Sequence, residues 1–250
     1  MTEPYVLINQ EGPLLTIRLN RPTKKNALTQ QMYDSLTEAL TCAVNDEQII
    51  AVKLEGAGDC FTAGNDLADF LSMEGLSSTA SAPRFLKALA SFPKILIAVV
   101  QGAAVGIGTT MLLHCDFVIA ATDARFQLPF INLALVPEAA SSLMLPNRVG
   151  YLRAAELLLL GESFSAETAL YWGIVNRVVD QAALETCCGD ILNKLLKKDA
   201  TALFETKRLL KLPSTDVAEQ MEEEFKSFEA RLAAPAFKAM AKAFFQSKRT

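Results

Sequence analysis

The chain has 250 residues, with 24 Lys and Arg against 28 Asp and Glu, for a net charge of −4. That balance argues against nucleic acid as a partner, since phosphate backbones require a clustered cationic surface. A hydrophobic share of 51% excludes disorder and supplies a sizeable core.

The start, MTEPYVLINQEG, lacks the basic and apolar regions of a signal peptide. No apolar run reaches the ~18–20 residues of a membrane span, so no membrane partner is expected. The end, QSKRT, is not a Ser-Lys-Leu address, which leaves the cytoplasm as the expected location. Cys42, Cys60, Cys115, Cys187 and Cys188 are odd in number and irregular in spacing, and read as reduced structural thiols. With one histidine, a zinc site is not expected.

In chain order, Tyr5–Asn9 and Leu14–Asn20 read as paired strands joined by a turn over Gln10–Pro13. A helix follows from about Thr29, a capping residue, to Asn45, with Met32, Leu36, Ala39, Leu40 and Ala43 on its apolar face. Ile49–Leu54, the fully apolar Ile95–Val100, Asp116–Ala121 and Ile174–Val179 read as further strands. Between them, Pro83–Phe92, Val105–Cys115, Ser141–Val149, Leu152–Leu160 and Ala166–Trp172 read as helices. Strands alternating with helices predict an α/β core over residues 1–180 with largely parallel strands. From residue 181 to 250 only helical patterns remain: about Gln181–Lys197, Thr201–Leu210, Thr215–Leu232 and Ala236–Gln246. The third carries Met221, Phe225 and Phe228 on one side and charges on the other, which suits a helix over a core.

Two glycine-bearing loops follow strands. CFTAGNDL holds Gly64, Asn65 and Asp66, and QGAAVGIGTT holds Gly102, Gly106 and Gly108 before an apolar helix. Backbone N–H groups at such a helix start are unpaired and can receive a developing negative oxygen. On glycine spacing alone, tight turns and close packing are the better reading. The second loop lacks the Lys-Ser/Thr ending of a phosphate loop.

LNRPTKKNALT, CFTAGNDL, PKILIAVVQGAAVGIGTTMLLHCDFVIA, ARFQLPFINLALVPEAASSLMLP and AAELLLLGESFSAETALYWGIVNRVV, in this order, resemble the crotonase, or enoyl-CoA hydratase/isomerase, superfamily. The resemblance covers about Leu19 to Val179. It implies a spiral of ββα units with a C-terminal helical region, assembled as a homotrimer or dimer of trimers. It also implies a coenzyme A thioester as substrate, so that coenzyme A is no separate cofactor and none is expected. The thioester oxygen would sit between two backbone N–H groups, which by position are those of Asn65 and Ile107. Ala63, Gly64, Asp66 and Gly106 would line the substrate, with Lys24 and Lys25 toward its phosphates. Lys242, Phe244 and Phe245 of the tail would close the site.

Similar hydratases carry glutamates at the positions of Thr110 and Phe130. Neither side chain here activates water, which argues against hydration. Δ3,Δ2-enoyl-CoA isomerases are similar around VPEAASS, and their catalytic glutamate matches Glu138. One carboxylate suffices for an isomerase, because it can remove a C2 proton and return it to C4 on one face of a flat dienolate. Phe130, Ile131, Leu133 and Leu135 would exclude water and raise the Glu138 pKa. On the residues alone, Glu138 reads first as a carboxylate favoured at a helix start. Asp66, Asp116 and Asp123 read as cap or turn residues, and His114 as a hydrogen-bonded core residue. The alternatives are another enolate reaction of the superfamily and a non-catalytic acyl-CoA-binding module.

Overall fold

The computed structural model describes residues 3–71, 80–211 and 235. The chain divides into two compact units, Met1–Leu192 and Asn193–Thr250. The expected helices beyond Thr215 and the residues Lys242, Phe244 and Phe245 lie outside the described residues, as does most of the Ser72–Ala82 stretch.

The first unit opens with β1 (Val6–Glu11) and β2 (Leu14–Leu19), followed by α1 (Gln30–Asn45) and β3 (Ala51–Gly56). Next come α2 (Leu67–Leu71), α3 (Ser81–Ala90), β4 (Ile95–Val100), β5 (Ala103–Val105) and α4 (Ile107–Thr110), the last running into a 3-10 turn over Met111–His114. Then follow β6 (Phe117–Ala121), β7 (Arg125–Gln127), α5 (Ser141–Val149), α6 (Tyr151–Leu160), β8 (Ser163–Ser165), α7 (Ala166–Tyr171) and β9 (Arg177–Val179). After Val179, α8 (Leu184–Leu195) begins in this unit, and α9 (Ala200–Leu210) belongs to the second.

A six-stranded sheet runs β1-β2-β3-β4-β6-β9, antiparallel only between β1 and β2. Its centre, β4, is buried along its whole length, as an apolar run covered on both faces must be. Each of its larger aliphatic side chains contributes about 1.5–3 kcal/mol by leaving water. The α1 face is as read from the sequence, and Thr29 caps the helix by accepting from Met32 N–H at 3.3 Å. That cap is worth about 1 kcal/mol. Tyr33, absent from the expected face, is also buried, and its ring meets Phe85 of α3 at 5.6 Å between centroids.

Of the boundaries that differ from expectation, three have a clear physical cause. Strand β3 starts at Ala51 rather than Ile49, because its parallel register begins opposite Leu14, where β2 begins. Ile174 and Val175 do not extend β9, since both N–H groups bond the Ala169 carbonyl at the end of α7. Val105 is not helical. It closes β5, part of a second sheet, β5-β7-β8, whose three-residue strands are too short to show an alternating pattern.

Candidate active site

The two glycine loops come together by parallel pairing. Thr62 bridges Ala104, with Thr62 N–H donating to Ala103 O and Val105 N–H to Thr62 O, each at 3.0 Å. Asn65 and Ile107 each lie three residues past this bridge, so the pairing register sets them side by side.

At Gly64, φ is +91° and an added Cβ would stand 2.8 Å from Val105 O. No other residue permits both that backbone and that approach. Gly106 also has positive φ, and its N–H is held by Gln127 O at 2.9 Å. The chain turns there into α4, whose first N–H is that of Ile107. Leu28 brackets Asn65 on the other side, donating to Gly64 O and accepting from Asp66 N–H. Among the described residues, neither the Asn65 nor the Ile107 N–H has a protein acceptor. The Asn65 side chain is fixed as well, because its Oδ1 accepts from the buried Tyr33 hydroxyl.

Both donors border one cavity of about 270 Å³. Its wall includes Ala63, Gly64, Leu67, Val105, Gly106 and Phe130, with Leu133 and Leu135 from the following loop. No acidic side chain is among its lining residues.

Glu138 is tied to this arrangement through Thr110. Thr110, fully buried and one helical turn after Ile107, donates its hydroxyl to Glu138 Oε1 at 2.5 Å. Burial pushes the Glu138 pKa from 4.5 up to about 7, while the Thr110 hydrogen bond pulls against that rise. A group of this pKa can both accept and return a proton near neutrality.

The backbone around Glu138 is held in an unusual shape. Ala139 and Ala140 both have left-handed φ, near +53° and +55°, at about 1–2 kcal/mol each for residues with a Cβ. Ser141 offsets part of this by donating both N–H and Oγ to Glu138 O, at 3.0 and 2.6 Å. The carboxylate does not serve as the cap of α5, whose N-cap residue is Ala140 with no side-chain cap.

Asp66 is ion-paired to Arg21 at 2.6 Å and accepts from Ala68 and Asp69 N–H, so it caps α2 beside the first loop. The Arg21 guanidinium, with those N–H groups, holds its carboxyl below the ordinary carboxylate range. Lys25 is exposed and paired with Asp59 at 2.7 Å, and Lys24 is exposed. Tyr33 and Arg21 were not singled out in the sequence. Their signal was their place in or beside the RPTKKNALT segment, but a tyrosine on an apolar helix face reads first as core.

A second cavity of about 270 Å³ lies against Arg18, Glu55, Gln101 and Glu185. Its charges answer one another, Glu55 holding Arg18 and Lys53, and Lys53 also reaching Glu185 at 3.0 Å. Among the described residues no cluster of His, Cys, Asp and Glu could hold a metal ion. Nor is any described helix long and apolar enough to cross a membrane.

Residues 9–250 match the enoyl-CoA hydratase/isomerase family. The chain belongs to this family. It is 38% identical over 212 residues to enoyl-CoA delta isomerase 2 of Rattus norvegicus, covering 82% of this chain and 54% of that one. The chain thus spans about half the length of that curated relative. It is 34% identical to 1,2-epoxyphenylacetyl-CoA isomerase of Escherichia coli, covering 85% of this chain and 84% of that one. A solved structure from Magnetospirillum magneticum AMB-1, provisionally named an enoyl-CoA hydratase/carnithine racemase, is 41% identical. It superposes with a TM-score of 0.95 over 98% of this chain and 97% of that one. The α/β architecture with a parallel-rich sheet is that of the crotonase fold. The relatives' names span several reactions, so membership fixes the family and leaves the reaction to the site's chemistry.

Proposed function

We propose that this protein is a Δ3,Δ2-enoyl-CoA isomerase, moving the double bond of a 3-enoyl-CoA to the 2-trans position. The observation that carries this reading is a single partly buried carboxylate, Glu138, with a pKa of about 7, linked through Thr110 to the helix that starts at Ile107. Thr110 and Phe130 occupy the positions where similar hydratases carry glutamates, so a second acid–base group for adding water is missing there. The rat relative's name supports the same choice.

In this mechanism the thioester oxygen accepts from the Asn65 and Ile107 N–H groups. Glu138 removes a C2 proton, and the electron pair spreads over the thioester and the alkene as a dienolate. The two N–H donors stabilise the oxygen as it gains charge, each worth about 3–4 kcal/mol in comparable sites. The protonated Glu138 then delivers the same proton to C4, which leaves the double bond between C2 and C3. No atom is gained or lost. Phe130, Leu133 and Leu135 give the cavity an apolar wall, of which only Phe130 is buried; Leu133 and Leu135 keep 49% and 43% of their surface exposed, and Ile131, expected beside them, is exposed and outside the lining. Ala63, Gly64, Asp66 and Gly106 form or support the loops that hold the thioester, with Lys24 and Lys25 toward the coenzyme A phosphates. A homotrimer or dimer of trimers in the cytoplasm fits this assignment.

The test is the purified protein with a 3-enoyl-CoA, followed by the ultraviolet absorbance of the conjugated product, beside a 2-enoyl-CoA hydration assay. Isomerisation without hydration supports the reading. Hydration at a comparable rate, or binding with no turnover of either substrate, overturns it in favour of another superfamily reaction or an acyl-CoA-binding module.

A further inference from the structure

His114 is the one histidine of the chain, and it is buried, with 5% of its surface exposed. The proton transfer does not require it. Its Nε2 lies 2.9 Å from the carbonyl oxygen of Ala139, the residue after Glu138. A carbonyl only accepts, so Nε2 carries the hydrogen, and it does so in both the neutral and the protonated imidazole.

Ile107 and Thr110 stand one turn apart on α4, and His114 ends the 3-10 turn that continues it. Ile107 borders the cavity, Thr110 takes the Glu138 carboxylate, and His114 takes the next carbonyl along. The segment they hold contains two consecutive left-handed alanines, Ala139 and Ala140, which free backbone would leave readily. Ser141 grips the Glu138 carbonyl from the far side through its own N–H and hydroxyl.

We propose that His114 is a positioning residue: its Nε2–H holds the Ala139 carbonyl and thereby keeps the Glu138 carboxylate turned to Thr110. It acts through the backbone and touches no reacting atom. The role rests on Glu138 being the proton-transfer group, and it assigns a purpose to a buried polar side chain that the reaction leaves unused.

The experiment compares the wild type with His114→Leu and His114→Gln, reading kcat and KM with 3-enoyl-CoA and the 13C titration of the Glu138 carboxyl, assigned by its loss in Glu138→Gln. Should the leucine variant fail to fold, His114→Met takes its place with the same expectation. Loss of the tether should lower kcat by about tenfold or more with KM changed by less than about threefold. The Glu138 titration should move from about 7 toward the ordinary 4.5 as the carboxylate turns to water. Glutamine, whose amide N–H extends about as far as Nε2, should restore both. Unchanged kcat and titration in a folded leucine or methionine variant overturn the proposal, as does failure of glutamine to restore either. If the wild type does not isomerise, the proposed reaction has failed, and the carboxyl titration still decides whether His114 positions Glu138.

Discussion

The Thr110 hydroxyl donates to Glu138 Oε1 at 2.5 Å, joining the helix that begins at Ile107 to the loop that carries the carboxylate. The contact is between a fully buried donor and a partly buried acceptor, so it fixes the carboxylate without neutralising it. Burial then dominates, which is why the Glu138 pKa rises despite a hydrogen bond that favours the charged form.

Glu138→Gln keeps the shape and the acceptor for Thr110 but cannot move a proton. Isomerisation should fall by about 10²–10⁴-fold while KM for 3-enoyl-CoA stays near the wild-type value. Steady-state kinetics by ultraviolet absorbance checks this.

The same variant should alter stability in a defined window. In the folded protein Glu138 keeps its proton up to about 7, and in the unfolded chain only to about 4.5. The unfolded state therefore releases the proton first, and the folded state loses stability as pH rises through this interval. Glu138→Gln should be more stable than wild type above pH 7, by at most about 3 kcal/mol at about 1.4 kcal/mol per pKa unit. The two should match below pH 4.5. Urea unfolding at pH 4 and pH 8 measures the difference.

The pH dependence of kcat/KM reports the unloaded site, and its acid limb should rise through about pH 7 as Glu138 ionises. Thr110→Val removes the bond that lowers this pKa, so the limb should move to higher pH, whereas Thr110→Ser should leave it in place. A shift of the limb to lower pH in the valine variant would contradict the assignment.

Gly64→Ala tests the paired donors. The new methyl would meet Val105 O at 2.8 Å in a backbone that alanine resists, so the loops must separate. Turnover should drop about 10²–10³-fold, the loss expected from one misplaced oxyanion donor. Circular dichroism and thermal unfolding distinguish this from loss of fold.

Tyr33→Phe removes only the hydroxyl that holds the Asn65 side chain. Burial, and behind it the charge of Glu138, keep this phenol well above its ordinary pKa and so in its donating form. The expected effect is a fall in kcat of about 3–10-fold, equivalent to about 1 kcal/mol for one hydrogen bond. KM should change less than kcat.

Much of this was legible in the residues. The α1 face and its Thr29 cap and the buried β4 run follow from hydrophobic spacing and capping chemistry, which act over one or two turns of chain. The two glycine loops and VPEAASS carried the family, and with it the residues Asn65, Ile107 and Glu138. The β5-β7-β8 sheet and the partners of Tyr33, Arg21 and His114 were not legible. Each depends on a partner far along the chain, as Tyr33 on Asn65 or His114 on Ala139.

The sequence by itself determined where most helices and strands could form, because hydrophobic spacing and capping are local steric and solvation constraints. Tertiary structure alone decided that Asn65 and Ile107 stand side by side, through the register of Thr62 with Ala104. It also decided that Glu138 is desolvated and hydrogen-bonded to Thr110, which sets its pKa near 7. Desolvation and pairing register are sums over groups brought together only when the chain closes on itself, and no stretch of the sequence contains them.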